Sequence, residues 1–177
     1  MPTIVLDRDG VINQDSDAYI KNPDEWYAIK GSLDAIKRLN DAGYGVCVAT
    51  NQSGLGRDLF SIEALAAIHQ KMMNELEAMG GRIHLIAFCP HHPDVGCDCR
   101  KPKTGLLQAI NEQFPLDPDT TWMVGDTGKD IECAHRMGIR GALVKTGKGQ
   151  RELDSGVVSC ETTPVFSDLS EFVNWLL

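Results

Sequence analysis

The chain has 177 residues, of which 42% are hydrophobic and 24% are charged. This composition is typical of one folded domain and excludes a disordered chain. Its 25 acidic residues exceed its 17 basic residues and give a formal net charge of −8, which argues against sequence-independent nucleic-acid binding and against a nucleic-acid partner. No apolar run is long enough to cross a membrane, and we expect no signal peptide, because the first residues lack a basic start and a long apolar stretch. We therefore expect a cytoplasmic protein with no membrane partner.

Short apolar segments alternate along the chain with longer segments of helical periodicity. The apolar segments predict five strands, at residues 3–6, 45–49, 85–88, 121–124 and 142–144. The longer segments predict five helices, at residues 32–42, 62–79, 104–111, 129–137 and 167–176. This alternation predicts an α/β fold, with a doubly wound, mainly parallel, Rossmann-like sheet and helices on both of its faces.

Two irregular segments, 13–30 and 89–103, directly follow predicted strands. Ligands of open α/β sheets bind beyond the carboxyl ends of the strands, so these segments are expected to border a site. We predict a single domain over 1–177, without a large cap domain. Residues 148–177 are predicted to form a surface tail that includes the last helix and a marginal edge strand at 157–158.

Carboxylates follow two of the predicted strands. Asp7 and Asp9 lie on the same side of an extended backbone after the first strand. They would repel each other unless a hard cation such as Mg²⁺ lay between them, although an ordinary loop pair explains two isolated carboxylates equally well. Asp126 follows the fourth strand and Asp130 comes one helical turn later. Their expected proximity to the first pair favours the magnesium site.

Two further segments have the chemistry of an anion site. Residues 50–54, Thr-Asn-Gln-Ser-Gly, place a hydroxyl and successive backbone amides at the end of the second strand. Arg100 and Lys101 begin a basic cluster in an otherwise acidic chain, and could neutralise a phosphate. Each segment alone is also explained by a polar turn or a solvated loop. Residues 141–148 look like a P-loop, but their spacing is one residue too long, so no nucleotide site is predicted there.

The segment 89–103 contains a candidate zinc site. Its expected ligands are Cys89, His91, Cys97 and Cys99. Three thiolates and one imidazole satisfy tetrahedral Zn²⁺ and leave no open position, which predicts a structural metal. We choose His91 over His92 because Cys-x-His then mirrors Cys-x-Cys; free thiols are the alternative. Bound zinc would direct the adjacent basic cluster into the crevice.

Taken in chain order, these motifs resemble those of the haloacid dehalogenase superfamily of phosphohydrolases. The matching residues are Asp7-Arg8-Asp9-Gly10, Thr50-Asn51-Gln52, Lys101, and Gly125-Asp126 with Asp130. Within the superfamily, the zinc loop and residues 144–149 are similar to those of the heptose bisphosphate phosphatases. The resemblance implies a Mg²⁺-dependent phosphomonoesterase that removes the 7-phosphate of D-glycero-D-manno-heptose 1,7-bisphosphate, in bacterial synthesis of lipopolysaccharide precursors.

The resemblance leaves other functions open. Histidinol phosphatases have a similar zinc loop, and the five residues between His91 and Cys97 favour them, whereas Gln52-Ser53-Gly54 and His91-His92-Pro93 favour the heptose enzymes. A phosphatase acting on nucleic-acid 3′ ends and a non-catalytic zinc module are further alternatives. The absence of a cap favours a monomer.

The resemblance also implies a role for each site residue. Asp7 would be the nucleophile and Asp9 the general acid and base, while Thr50 and Lys101 would bind phosphate oxygens. Mg²⁺ would be held by Asp7, the Asp9 carbonyl and Asp126, with support from Asp130. Contacts to the rest of a small phosphorylated sugar are expected from Asn51, Gln52, Ser53 and Arg100, and also from Asp15 and Tyr19.

Overall fold

The computed structural model describes all residues, Met1–Leu177, and contains one six-stranded sheet. Its strands are β1 (Thr3–Leu6), β2 (Gly45–Asn51), β3 (Leu85–Cys89), β4 (Trp122–Gly125), β5 (Arg140–Val144) and β6 (Val165–Phe166). Their order across the sheet is β3-β2-β1-β4-β5-β6, and every pair is parallel. The predicted parallel sheet is confirmed, and its sixth strand lies at the edge, although not at the residues predicted for an edge strand.

Seven α-helices surround this sheet. They are α1 (Ser32–Asp41), α2 (Ser53–Gly56), α3 (Ile62–Ala78), α4 (Gly105–Asn111), α5 (Gly128–Arg136), α6 (Gly149–Asp154) and α7 (Leu169–Leu176). Short 3₁₀ helices lie at Pro23–Glu25 and Pro93–Val95. None of the helices is both long and apolar enough to span a bilayer.

The two faces of the sheet are covered by different helices. Alternate residues of β1 separate accordingly: Ile4 and Leu6 belong to the larger apolar cluster, whereas Val5 belongs to the second. The larger cluster includes apolar residues of α1, α3 and α7, and the second includes those of α4 and α5. A strand buried on both faces is a near-continuous apolar run, so the doubly wound arrangement is confirmed.

The prediction of a surface tail over 148–177 was wrong in its second half. The edge strand is Val165–Phe166, not 157–158, and it pairs with β5. Leu169, Phe172 and Val173 of α7 are buried in the larger apolar cluster. The rings of Phe172 and Trp122 lie 5.9 Å apart, edge to face. This packing removes large aromatic surfaces from water, but its partners are far apart in the sequence.

The irregular segment 13–30 is anchored to α3. The Lys71 ammonium donates hydrogen bonds to the carbonyl oxygens of Pro23 and Trp26, over 3.0 and 2.7 Å. The Trp26 side chain is fully buried. This segment, which we call the flap, is therefore held beside the carboxyl end of β1. The chain has no large cap domain.

Candidate active site

Three central strands deliver polar residues to one edge of the sheet. Asp7 follows β1, Asn51 ends β2 and Asp126 follows β4. Because β2 and β4 flank β1, these side chains meet at a cleft of about 260 Å³. Its lining is almost entirely polar and consists of Asp7, Asp9, Asp15, Ser16, Asp17, Tyr19, Ile20, Asn51, Gln52, Ser53, Arg57, Arg100, Lys101, Asp126, Thr127, Lys129, Asp130 and Lys148.

A carboxylate cluster with one lysine forms the floor of the cleft. Asp7, Asp126 and Asp130 each offer an oxygen within 4.8 Å of the other two. The buried Lys101 ammonium lies 3.1 Å from Asp7 Oδ1 and 2.7 Å from Asp130 Oδ1. It also donates to the Ala49 carbonyl over 2.6 Å. Burial alone lowers the pKa of Lys101, but Asp130 and Asp7 outweigh it and raise that pKa above its ordinary value.

Two carboxylates of this cluster, Asp7 and Asp126, resist ionisation. Burial, with the negative charges of Asp130 and Asp9, raises the pKa of Asp7 to about 7 despite the opposing charge of Lys101. Burial, with Asp7 and Asp130, raises the pKa of Asp126 to about 8. A divalent cation between these oxygens would favour their ionised forms. The oxygen donors and their excess negative charge therefore fit Mg²⁺, a hard cation.

Two glycines frame the side chain of Asp126. Gly10 has a φ of +83°, and a Cβ there would lie 2.1 Å from Asp126 Oδ2. A Cβ at Gly147 would lie 2.3 Å from the same oxygen. The Lys148 backbone N–H donates to Asp126 Oδ2 over 2.8 Å. The loop after β5 therefore orients this carboxylate through its backbone, which requires the absence of side chains at both glycines.

Asp130 has both of its oxygens engaged by the protein. Oδ1 accepts from Lys101, and Oδ2 accepts from the Thr127 backbone N–H and hydroxyl over 3.1 and 2.9 Å. These contacts belong to the capping box at the start of α5. The residue is fully buried. This geometry suits a residue that orients Lys101 and supports the cluster.

Asp9 lines the cleft beside the carboxylate cluster without belonging to it, and accepts hydrogen bonds from three side chains. Arg8 Nη2 donates to its Oδ1 over 2.8 Å, Asn13 Nδ2 donates to the same oxygen over 2.9 Å, and Gln52 Nε2 donates to its Oδ2 over 2.9 Å. Burial alone raises the pKa of Asp9, but Arg8 and these hydrogen bonds outweigh it and lower that pKa. The carboxylate is thus fixed in one orientation.

The residues at the end of β2 and just after it divide between the cleft and its support. Asn51, Gln52 and Ser53 line the cleft, as the sequence predicts, but Thr50 is fully buried and does not. The Thr50 hydroxyl accepts a hydrogen bond from Gln52 Nε2 over 3.0 Å. A contact between Thr50 and a phosphate therefore remains a prediction from the family resemblance.

The residues predicted to contact the rest of the sugar also line the cleft. Asp15 and Tyr19 come from the flap, and Arg100 from the segment 89–103. Arg100 Nη1 is buried without a hydrogen-bond partner in the protein, so this nitrogen is available to an anion. Asp15 Oδ2 lies 3.3 Å from Lys148 Nζ, which connects the flap to the loop after β5.

Three cations of the lining were missed in the sequence. Arg57 follows the short helix α2, Lys129 was assigned to an ordinary helix start, and Lys148 lies in the segment set aside as a P-loop mimic. The proximity of Lys129 to Asp130 was the one available signal. Together with Arg100 and Lys101 they give the cleft five cations, which suits a substrate with more than one phosphate.

The four predicted zinc ligands come together at the carboxyl end of β3. The distance between Sγ atoms is 3.6 Å for Cys89 and Cys97 and 3.5 Å for Cys97 and Cys99. His91 Nδ1 lies 3.6 Å from Cys89 Sγ and 3.2 Å from Cys99 Sγ. Tetrahedral zinc, with bonds of about 2.3 Å to sulfur and about 2.0 Å to nitrogen, sets its ligand atoms about 3.4–3.8 Å apart. The donor set and its spacing therefore fit zinc.

The predicted ligand choice agrees with this geometry, since His92 takes no part in the cluster. Instead, His92 Nδ1 accepts from the backbone N–H of Asp94 over 3.1 Å. Cys97 favours the thiolate that zinc requires: burial alone raises its pKa, but the Arg100 backbone N–H and the neighbouring thiols outweigh burial and lower it to about 6.

Comparisons with known proteins agree with the fold and the site. A model of the HAD-hydrolase-like family matches residues 98–172. A D-glycero-beta-D-manno-heptose-1,7-bisphosphate 7-phosphatase from Pseudomonas putida is 49% identical, over 100% of both chains. The enzyme of the same name from Pseudomonas aeruginosa is 48% identical, over 98% of this chain and 97% of its own.

Solved structures give the same result. The crystal structure of D,D-heptose 1,7-bisphosphate phosphatase from B. bronchiseptica, complexed with magnesium and phosphate, has a TM-score of 0.95 and 47% identity, and covers 99% of this chain and 98% of that chain. The phosphatase from Burkholderia thailandensis has a TM-score of 0.76 and 43% identity, with coverage of 98% and 97%. This similarity along the whole length shows that the chain belongs to the D-glycero-D-manno-heptose-1,7-bisphosphate 7-phosphatase family of the haloacid dehalogenase superfamily.

Proposed function

We propose that this chain is a Mg²⁺-dependent phosphatase that removes the 7-phosphate of D-glycero-D-manno-heptose 1,7-bisphosphate. The observation that carries the proposal is the carboxylate cluster with Lys101, in a cleft that holds five cations for a doubly phosphorylated sugar. The names of the relatives at 48–49% identity support the substrate. The reaction would serve synthesis of lipopolysaccharide precursors in bacteria.

In the first step, a carboxylate oxygen of Asp7 attacks phosphorus and the bond from phosphorus to the sugar O7 breaks. The products are an aspartyl-phosphate and the sugar alcohol, and the proton on O7 comes from Asp9. An approaching phosphate adds negative charge beside Asp9, which raises its pKa and lets it enter this step protonated. Lys101 and Arg100 offset the charge of the phosphate oxygens.

In the second step, water attacks phosphorus of the aspartyl-phosphate. Asp9, now ionised, takes a proton from that water, and the bond from Asp7 to phosphorus breaks. The hydrogen bonds from Arg8, Asn13 and Gln52, which favour ionised Asp9, suit this role. Bound Mg²⁺, held by Asp7, the Asp9 carbonyl oxygen and Asp126, would lower the repulsion between nucleophile and phosphate in both steps.

The zinc cluster has a structural role in this proposal. All four ligand positions are filled by the protein, which leaves no place for substrate or water. The metal would hold the segment that carries Arg100 and Lys101. Reduced thiols at this site suit the cytoplasm, and we expect the enzyme to act there as a monomer.

Histidinol phosphate is the alternative substrate, favoured by the short link between His91 and Cys97. Phosphate release from heptose 1,7-bisphosphate and from histidinol phosphate is to be compared directly, with Mg²⁺ present. We expect faster turnover of the heptose bisphosphate. Lys101 and Lys148 already pair with aspartates, whereas Arg57, Arg100 and Lys129 of the lining have no ion pair in the protein and can contact a second phosphate. Faster turnover of histidinol phosphate would contradict the proposed substrate.

The variant Asp7→Asn tests the mechanism. It removes the nucleophile and is expected to lower kcat on the order of a thousandfold or more. Asp34→Asn is the control, because this exposed residue of α1 carries the same substitution away from the cleft. Substantial turnover in Asp7→Asn would exclude Asp7 as the nucleophile.

A further inference from the structure

Behind the cleft, Arg8 is fully buried and makes a two-nitrogen contact with its neighbour in the chain. Its Nε donates to Asp9 Oδ1 over 3.1 Å, and its Nη2 donates to Oδ1 and Oδ2 over 2.8 and 3.1 Å. Arg8 is absent from the lining of the cleft. Because the guanidinium cannot reach a substrate, its influence on the reaction must pass through Asp9.

The third guanidinium nitrogen of Arg8 contacts a histidine of α3. Arg8 Nη1 lies 3.2 Å from His69 Nε2. Since a guanidinium only donates hydrogen bonds, Nε2 must be the acceptor and the imidazole proton must lie on Nδ1. His69 is itself buried, with its ring edge to face against Phe88 at 6.2 Å. Burial and Arg8 lower the pKa of His69 to about 4, so the ring is neutral at physiological pH.

The chain of contacts therefore runs from α3 through the guanidinium to Asp9. Without an acceptor at His69 Nε2, the buried Nη1 would lose this partner, and Arg8 would gain by turning toward another acceptor. Turning Arg8 would withdraw Nε and Nη2 from Asp9. The other donors to Asp9, Asn13 and Gln52, contact one oxygen each, and neither spans the carboxylate as the guanidinium does.

We propose that His69 is a positioning residue which, through Arg8, fixes the carboxylate of Asp9 for proton transfer to the leaving sugar oxygen. The inference rests on the proposed function, because it takes Asp9 to be the general acid. The proposal predicts that removal of the acceptor at His69 lowers kcat/KM only for substrates whose leaving group needs a proton.

Two variants of His69 distinguish a side chain that accepts the hydrogen bond of Arg8 from one that only fills space. His69→Gln can present Oε1 near the position of Nε2, whereas the side chain of His69→Asn is one methylene too short to reach Arg8. Their kcat/KM values are to be measured on heptose 1,7-bisphosphate, whose alkoxide needs a proton, and on p-nitrophenyl phosphate, whose phenolate leaves without one. The ratio kcat/KM reports the first chemical step, in which the leaving group departs.

We expect His69→Asn to lower kcat/KM for the sugar bisphosphate about tenfold and for p-nitrophenyl phosphate less than about twofold. His69→Gln should restore the sugar bisphosphate value to within about threefold of wild type. His84→Asn is the control for packing. Like His69, His84 accepts one hydrogen bond, here from the backbone N–H of Val46, and its ring packs edge to face against Phe114. It lies near the amino end of β2 and should not separate the two substrates.

Equal losses on both substrates, or no loss on either, would overturn the proposal. A failure of the proposed function would be visible earlier, as a wild-type enzyme that does not hydrolyse heptose 1,7-bisphosphate. Nitrogen-15 NMR of the histidines gives a test independent of activity and of the folding of any variant. We expect a neutral His69 with the proton on Nδ1 at neutral pH, and a proton on Nε2 would also overturn the proposal.

Discussion

At the scale of single residues, the backbone of Gly10 lies so near Asp126 that a Cβ added to Gly10 would be 2.1 Å from Oδ2. Gly10 ends the motif that begins at Asp7, and its carbonyl oxygen accepts a hydrogen bond from the Thr146 hydroxyl over 2.6 Å. The backbone of one catalytic loop thus lies directly against the side chain of another. Any atom added at Gly10 must displace the carboxylate that faces the proposed metal.

The variant Gly10→Ala tests this contact. The new Cβ would meet Asp126 Oδ2, so we expect a fall in kcat/KM of roughly a hundredfold and a higher Mg²⁺ concentration for half-maximal activity. Gly43→Ala is a matched control, because Gly43 has a φ of +86° and open space around its Cβ position. It should lose about 1 kcal/mol of stability and keep its activity. An active Gly10→Ala with unchanged Mg²⁺ dependence would contradict the geometry.

Sequence patterns could identify those site residues that lie next to a recognisable strand or motif in the chain. Asp7 and Asp126 follow apolar strands directly, and the zinc ligands occur as two close pairs. Arg57 and Lys148 reach the cleft only because α2 and the loop after β5 turn toward it. Thr50 is the opposite case. Its place in the sequence, next to residues of the cleft, did not reveal that its own side chain is buried.

At the scale of elements, the segment 89–103 connects the zinc cluster to two helices. A Cβ at Gly56, the last residue of α2, would lie 2.2 Å from the His92 backbone nitrogen. A Cβ at Gly105, the first residue of α4, would lie 2.7 Å from the Asp98 carbonyl oxygen. Lys103 Nζ also donates to the Cys97 carbonyl over 2.8 Å. The segment 89–103 therefore determines how closely α2 and α4 pack against it, as well as the position of Arg100.

Cys97→Ser tests the zinc site at this scale. Loss of one thiolate should lower zinc content well below one ion per chain, lower Tm and raise KM for the sugar bisphosphate, because the loop that carries Arg100 loses its restraint. Zinc is to be measured by elemental analysis beside activity. Cys160→Ser is the control, since this exposed cysteine lies outside the cluster. Full zinc retention in Cys97→Ser would contradict the assignment.

Among the elements, the first five strands and the main helices could be predicted because each has its own apolar pattern. The two-residue strand β6 could not, since its apolar residues, Val165 and Phe166, have no period to detect. Its place depends on the pairing with β5 and on the packing of Phe166 against Phe172, whose ring centroids are 5.4 Å apart. Tertiary contacts decide such short edge strands.

At the scale of the whole molecule, the carboxylate cluster links global stability to pH and Mg²⁺. The pKa of Asp7 is raised to about 7 and that of Asp126 to about 8. The folded state therefore keeps protons that the unfolded state releases at lower pH. The stability that these protons contribute is lost as pH rises toward the folded-state pKa values. Metal-free protein should thus become less stable as pH rises through neutrality.

We expect the Tm of magnesium-free protein to fall as pH rises from about 5 to about 8, the folded-state pKa of Asp126, and to level off above that pH. Added Mg²⁺ should raise Tm, and more so at the higher pH, because it binds the ionised carboxylates. Asp126→Asn should remove the part of the pH slope that Asp126 contributes, leaving that of Asp7, and should weaken the Mg²⁺ effect, whereas Asp34→Asn should keep both. Thermal unfolding monitored by circular dichroism measures these shifts. A Mg²⁺ effect independent of pH would contradict the raised pKa values.

The packing of α7 in the larger apolar cluster also has a consequence for folding kinetics. Phe172 and Val173 share that cluster with Ile4 and Leu6 of the first strand, which lie far from them in the sequence. The long chain segment between these residues must be brought together before their contacts can form. We therefore expect this side of the sheet to close late in refolding, after the contacts between near neighbours in the sequence.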